Sequence, residues 1–513
     1  MPAAIEPRIV VAHYPDHLEA VTAESPLARC WGRHAYILPI FFVSILVWSW
    51  FVTCGDWKLF EPEDFCGFYD ALARSIIHGH LDVPRAAIGG EAFTFEGKTY
   101  GYFGIGPALL RIPLVLIFPH MDGLWSRLMI LIAATISLAC AYRILRMLSV
   151  ETAANTRVQR LLHSLFILSA GVGSTTVFLV GRSYTYHEAL MWSGAFALLF
   201  TCTILRYFSQ PRGSLLALAG LFAFMSFHCR PTVGAGALLA VTALAAILVW
   251  RAIGRPQAAQ LFLALDPVAT PARHALIATI VVAITLTTYF GVNYAKFRTF
   301  DAVPIRYYDF YAEFPKRLAA TRGKEIHVEN IPTGVVTYFG VHGVRLKNKF
   351  PWFYREEEAT FIGSPANDLI ESFSTVPISM PALTLLALIG ATALALGSNQ
   401  ILRRARLPAV TLFIGGGIML MTVCITERYL HDFYPALVIF AAAGVARIES
   451  SRRALPLTGL LAMLSVISVA LNCSFSLVNQ RENFGAPPAK VAEFEHLQES
   501  INRILHRGPP PSD

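Results

Sequence analysis

Three kinds of side chain in this 513-residue chain are suited to chemistry, and all sit at the edges of apolar blocks. The first is a pair of neighbouring carboxylates, Glu63 and Asp64, in the run Glu61-Pro62-Glu63-Asp64-Phe65-Cys66-Gly67-Phe68-Tyr69-Asp70. A positioned carboxylate can take the proton of an attacking hydroxyl. Two acids at a helix start can equally cap it and complement its dipole. The second is His187-Glu188, in Arg182-Ser183-Tyr184-Thr185-Tyr186-His187-Glu188-Ala189, where an apolar helix begins on ionisable residues. Ionisable groups near lipid are paired or functional, so this pair either closes the helix start or faces a site. The third is a set of arginines: Arg182, Arg230 in Cys229-Arg230-Pro231-Thr232, and Arg428 in Glu427-Arg428-Tyr429-Leu430-His431-Asp432-Phe433-Tyr434-Pro435. The planar guanidinium fork suits a phosphate. It suits equally an ion pair with Glu427 or Asp432 that closes a helical bundle.

The elements that must hold these groups are apolar helices. Of the residues 55% are hydrophobic and 15% charged, against about 25% charged in a soluble globular chain. The apolar residues come in blocks of roughly 18–22, the length of a spanning helix. About eleven spans are expected, near 35–53, 124–142, 161–180, 187–205, 213–228, 231–250, 274–295, 377–396, 407–425, 431–448 and 454–474. The short connectors carry arginine clusters: Arg29 and Arg33; Arg143, Arg146, Arg157 and Arg160; Arg206 and Arg212; Arg251, Arg255 and Arg273; Arg403, Arg404 and Arg406; Arg447, Arg452 and Arg453. With eleven spans all of them fall on one side, which the positive-inside rule makes the cytoplasm. The net charge of +8 is therefore topogenic and does not point to nucleic acid. The block at 105–119 is apolar but about 14 residues long, which favours an interfacial segment over a span. Counting it as a span would invert every later connector. The first apolar block, after a polar leader, reads as a span and not as a cleavable signal.

This arrangement predicts a cytoplasmic segment 1–34, a membrane domain 35–474 and a tail 475–513 on the far side. Two large outer segments, about 54–123 and 296–376, mix aromatic and charged residues and are expected to be ordered. Phe65, Phe68, Tyr69, Leu72, Ile76 and Ile77 recur at helical spacing, which predicts an amphipathic surface helix over 65–78. A second interfacial helix is expected over 105–118. The tail holds an amphipathic stretch over 491–505, then Gly-Pro-Pro-Pro as a frayed end. Eight cysteines without CxxC or His spacing speak against zinc, and Cys54 and Cys66 are expected as free thiols. Lys347 and Lys349 are expected as solvated loop charges.

The run Asp64-x-x-x-Phe68-Tyr69-Asp70-x-Leu72-Ala73, then Ile77-His78-Gly79-His80-Leu81-Asp82-Val83, is similar to the first outer loop of GT-C glycosyltransferases. So is Gly97-Lys98-Thr99-Tyr100-Gly101-Tyr102-Phe103-Gly104-Ile105-Gly106-Pro107. The Tyr186-His187-Glu188 run and the Arg428-Tyr429-x-x-Asp432-x-x-Pro435 run resemble later outer loops of the same superfamily. Its members take sugars from polyprenyl-phosphate carriers and include protein mannosyl and lipid A aminoarabinose transferases. The resemblance implies an all-α membrane protein with two interfacial helices in the first loop. It implies a catalytic acid at Asp64; because the order here is Glu63-Asp64 and not Asp-Glu, Glu63 is the second candidate. It further implies substrate contacts from Tyr102, His187, Glu188, Tyr429 and Asp432, and phosphate contacts from Arg428, Arg230 and Arg182. The expected reaction is inverting transfer of a sugar to a glycan, lipid or protein acceptor on the periplasmic face of a bacterial inner membrane. The donor is a lipid-linked substrate; no cofactor is expected, and no metal-ligand cluster stands out. A transporter or flippase is the alternative. It is disfavoured because the notable charges cluster at one surface and no paired broken helices are evident.

Overall fold

The computed structural model describes residues 35–63, 65–149, 157–254, 263–481 and 488–506. The segment 1–34, Asp64 and the Gly-Pro-Pro-Pro run lie outside the described residues. In a bilayer a backbone satisfies its polar groups internally only as helix or closed barrel, and the apolar blocks here are helices. In chain order these are α1 (Leu38–Val52), α2 (Phe68–Ile77), α3 (Gly106–Ile117), α4 (Ser126–Leu148), α5 (Arg157–Gly171), α6 (Thr175–Val180), α7 (Thr185–Ser209), α8 (Gly213–Cys229), α9 (Pro231–Ala252) and α10 (Pro271–Phe297). The second large loop adds α11 (Asp309–Glu313), α12 (Pro315–Ala320), α13 (Ile331–Phe339) and α14 (Val376–Ser379). The chain closes with α15 (Pro381–Leu396), α16 (Gln400–Gly417), α17 (Tyr434–Glu449), α18 (Ala454–Arg481) and α19 (Pro488–His506). Prolines open α9, α10, α15 and α19, where a missing N–H costs nothing.

Among the described residues nine helical stretches are long and apolar enough to cross a membrane, from Ala35–Val52 to Ala454–Arg481. Two more, α8 and α15, have 17 and 16 residues, about 24–26 Å at ~1.5 Å rise per residue. Together they make the eleven expected spans. Helix α3, at 12 residues, is too short to span, as its length and charge pattern predict. Phe42, Leu46, Leu276, Ile284, Leu388, Ile414 and Val466 are 45–68% exposed on the spans and form the lipid-facing surface. Helices α15 and α17 pack at a glycine crossing. A Cβ on Gly390 would lie 1.7 Å from the Phe440 carbonyl oxygen, and one on Gly444 2.1 Å from that of Leu386. Small residues let the two backbones meet.

The first loop has the expected pair of interfacial helices. Helix α2 begins at Phe68, three residues after the expected 65, because Phe65 turns the chain at φ 60°. Its apolar face, Phe68, Tyr69, Leu72 and Ala73, is buried against α3. Between them lies a hairpin of β1 (Phe93–Phe95) and β2 (Lys98–Tyr100). The second loop holds β3 (Val344–Leu346) paired with β4 (Phe353–Arg355), and β5 (Leu369–Ile370) running parallel to β6 (Cys424–Ile425). Cys54 and Cys66 carry free thiols, and Cys66 Sγ donates to the Gly123 carbonyl at 3.0 Å. Lys347 and Lys349 lie over the Tyr354 ring at 4.3 and 5.7 Å and are not simply solvated. The tail stretch is helix α19, docked on the second loop. Phe494 is buried against Phe350, and Gln498 Nε2 donates to the Phe350 carbonyl at 2.7 Å.

Candidate active site

The elements that carry the three arginines meet at one end of the bundle. The strand β6 and the turn Glu427–Phe433 follow α16, and the second loop wraps them from two sides. On one side Val423 N donates to the Glu325 carbonyl (3.2 Å) and Ile326 bridges Thr422. On the other, Glu371 N donates to the Ile425 carbonyl (2.9 Å) beyond the β5–β6 pair. The first loop joins this wall: Phe93 bridges Tyr308 and stacks on it at 4.7 Å, and Asp309 N donates to the Ala92 carbonyl.

Arg428 lies at the centre. Its guanidinium sits 4.7 Å from the Tyr186 ring and 5.5 Å from that of Tyr429, and its Nη1 donates to Glu371 Oε2 at 2.6 Å. Arg230 shares the Tyr429 ring at 5.2 Å and pairs with Asp432 at 2.9 Å. The side chains of Arg230 and Arg428 keep 15% and 17% exposure, so each presents an open face beside partly exposed Tyr102 and Tyr186. Tyr102 is placed by Lys296, whose buried Nζ donates to the carbonyls of Gly101 (2.9 Å) and Phe103 (3.3 Å). Two arginines framed by aromatic faces make a site for an anionic group with an attached ring or chain.

Other expected site residues lie behind this face. Asp432 is buried, and its carboxylate takes Arg230 and the Thr232 hydroxyl. Its expected substrate contact is thereby revised to a support for Arg230. His187 is buried with its ring against Tyr184 and Tyr186. Its Nδ1 faces the carbonyls of Arg182 (2.7 Å) and Leu179 (3.1 Å). A carbonyl only accepts, so Nδ1 carries the proton and the ring braces the 182–187 turn. Arg182 is 3% exposed, pairs with Glu63 at 2.5 Å and stacks on Tyr184 at 4.5 Å. It does not share the open face of the other two arginines. Glu63 accepts from Arg182, from the Ser183 amide (2.9 Å) and from the Ser183 hydroxyl (2.8 Å). Three donors on one carboxylate make it a clamp on the 182–183 turn. On its other side, Phe65 accepts from the Thr185 hydroxyl through its carbonyl, and its ring meets Tyr184.

Glu188 is the largest departure. It is fully buried and pairs with Arg111 at 2.9 Å, while Arg111 also pairs with Asp70 at 2.9 Å. Asp70 accepts from Gly123 N at 2.6 Å, and Arg111 donates to the Ser126 hydroxyl at 3.2 Å. This triad ties α2 and α3 to α7 and α4, and it keeps Glu188 away from the open face. Losing one member of a buried ion pair costs about 3–5 kcal/mol because the partner stays charged and uncompensated. Arg111→Met is therefore expected to lower the thermal unfolding temperature of the detergent-solubilised protein sharply. Arg322→Gln, at the exposed Arg322–Glu329 pair, should shift stability by about 1 kcal/mol or less.

Sequence reasoning missed three carboxylates that border the arginines. Glu371 is raised by burial, but the Arg428 charge and the hydrogen bonds from Thr426 and Arg428 outweigh this and hold it below the usual range. Glu91 accepts from the Tyr308 hydroxyl at 3.0 Å and is raised, chiefly by burial. Burial, then the Asp368 charge, pushes Glu325 up to about 7 against the pull of Arg230 and Arg428. None stands in a motif; Glu371 and Glu325 become informative only once the second loop wraps β6, and Glu91 only once Phe93 meets Tyr308. Among the described residues no group of three or more His, Cys, Asp or Glu side chains is placed to hold a metal ion.

No family model and no curated protein matches this chain. Among solved structures it is similar to the apo oligosaccharyltransferase of Archaeoglobus fulgidus, with a TM-score of 0.52 and 13% identity over 94% of this chain and 62% of that one. ArnT from Cupriavidus metallidurans, bound to undecaprenyl phosphate, gives a TM-score of 0.44 at 13% identity over 93% of this chain and 73% of that one. The arabinosyltransferase EmbB of Mycobacterium smegmatis gives 0.33 at 15% identity over 89% and 42%. The chain thus spans less than two thirds of the archaeal enzyme's length. The likeness to that enzyme shows the fold: this chain is an all-α, multi-span membrane protein with the architecture of that enzyme.

Proposed function

We propose that this protein is a membrane glycosyltransferase that takes a sugar from a polyprenyl-phosphate donor and delivers it to an envelope acceptor on the outer, periplasmic side. The observation that carries this reading is the convergence of Arg230 and Arg428, each partly open, on one tyrosine-lined face of a GT-C fold. The arginine clusters of the short connectors support a cytoplasmic side opposite this face, with 1–34 cytoplasmic and the tail outside.

In this mechanism Asp64 accepts the proton of the acceptor hydroxyl. The acceptor oxygen attacks the anomeric carbon in line and the bond from that carbon to the phosphate oxygen breaks, so the configuration inverts. Negative charge builds on the departing lipid phosphate, where Arg428 and Arg230 stabilise it in a site shielded from bulk water. Support for Asp64 comes from its chain neighbours: Glu63 and Phe65 are both fastened to the 182–185 turn, next to Tyr186. Tyr102, Tyr186 and Tyr429 offer faces to the sugar or the first isoprene unit. Glu63, Arg182, His187, Glu188 and Asp432 hold these groups in place.

Mass spectra of envelope glycans from cells with and without the protein test this function. A glycan that loses one sugar mass without the protein, and regains it when the gene is restored, is the expected result. Identical glycan spectra would contradict the reading. The transporter alternative predicts no loss of a single residue from one acceptor.

A further inference from the structure

Helix α13, in the second large loop, is built inside out. Its sequence, Ile-Pro-Thr-Gly-Val-Val-Thr-Tyr-Phe, contains no charge. The residues it buries are the polar and small ones: Thr333, Gly334, Thr337 and Tyr338. Ile331 and Val335 point outward at 39% and 43% exposure. A helix of a water-facing loop shows the reverse pattern. Next to it Val328, Phe361 and Ile362 are 69%, 46% and 43% exposed, and Thr333 Oγ1 accepts from Ile362 N at 2.9 Å, which fixes the two stretches together.

The exposed face continues a surface that already meets lipid. Helix α13 packs along the turn Ile418–Met421 at the end of the span Gln400–Met421. A Cβ on Gly334 would lie 2.6 Å from the Leu420 carbonyl oxygen, so the backbones touch there. At its other end Phe339 meets the Phe413 ring at 6.1 Å. Phe413 lies eight residues before Met421, roughly 12 Å down that helix at ~1.5 Å per residue. The helix therefore descends beside the span. There Val410, Phe413 and Ile414 are themselves 40–53% exposed to lipid. Exposed Lys324 and the exposed ion pair of Arg322 with Glu329, the residue after Val328, mark the polar edge of this stretch.

We infer that the apolar face of α13, with Val328, Phe361 and Ile362, is seated among the phospholipid acyl chains of the adjoining leaflet, as a third interfacial element beside α2 and α3. The seat reaches the arginine face. Tyr338 Oη accepts from Thr426 N at 3.2 Å, the Thr426 hydroxyl donates to Glu371 at 2.6 Å, and Glu371 takes Arg428. The bilayer thus braces the loop that carries Glu371.

The test uses the full chain in vesicles of phosphatidylethanolamine and phosphatidylglycerol. The photo-reactive residue p-benzoylphenylalanine replaces Val335 or, in a second variant, Ile331. Ile414 serves as the lipid-facing reference and Lys324 as the water-facing one. After irradiation the 335 and 331 variants are expected to gain the mass of a phospholipid as often as the 414 variant does, and the 324 variant is not. Phospholipid adducts at 414 with none at 335 and 331 would overturn the inference, as would cross-links from 335 and 331 to a second copy of the chain. The readout is a covalent mass and is independent of sugar transfer.

Discussion

Replacing Asp64 with asparagine is expected to abolish sugar transfer while the protein continues to express and to withstand detergent. The exchange keeps the size of the side chain and removes its ability to accept a proton. General-base catalysis contributes about 10²–10⁴-fold, and a loss of that size takes the product below detection in glycan spectra. Glu63→Gln separates the two neighbouring acids. Glu63 accepts from Arg182 and twice from Ser183, so its amide should loosen the 182–185 turn and weaken, without abolishing, transfer. Near-normal transfer by the Asp64→Asn protein would remove Asp64 from the mechanism, and complete loss in Glu63→Gln alone would move the base to Glu63.

Arg428→Ala carries the second large effect. Removing one preorganised donor from a developing negative charge costs about 10²–10³-fold in kcat. Arg428 is placed for this by Glu371 at 2.6 Å and by the rings of Tyr186 and Tyr429. Arg428→Lys should recover only part of the loss, because a point charge lacks the planar fork. Arg230→Ala should cost less if Arg428 alone meets the leaving oxygen, and its KM for the donor should rise. Equal activity of the Arg428→Ala and wild-type proteins, read as product per hour in vesicles, would contradict a phosphate role.

The spans were legible because lipid imposes a length of roughly 20 apolar residues on each helix, and arginine clusters punctuate the short connectors between them. Even the interfacial placement of α3 followed from those two constraints. The residues that meet on the open face were singled out as well: Arg230 and Arg428 stand apart from the connector clusters, and the first-loop motif flags Tyr102. What could not be read was who pairs with whom. Arg111 meets Glu188 across 77 residues and Arg428 meets Glu371 across 57, and no local pattern encodes such partners. For this reason Glu188 looked substrate-facing and is in fact the buried end of a triad with Asp70. Helix α13 escaped for a different reason. Nine uncharged residues are too few for a window of ~19 residues to register, and only burial reveals which face points outward.

The proposed transfer requires that the Arg230–Arg428 face take a lipid phosphate. Native mass spectrometry of the detergent-solubilised protein, with undecaprenyl phosphate and phosphatidylglycerol in equal amounts, tests it most directly. The wild-type chain is expected to retain one undecaprenyl phosphate, with a clear preference over phosphatidylglycerol, and Arg428→Ala is expected to lose that preference. Equal retention of the two lipids by the wild-type protein, or unchanged preference in the variant, would contradict it.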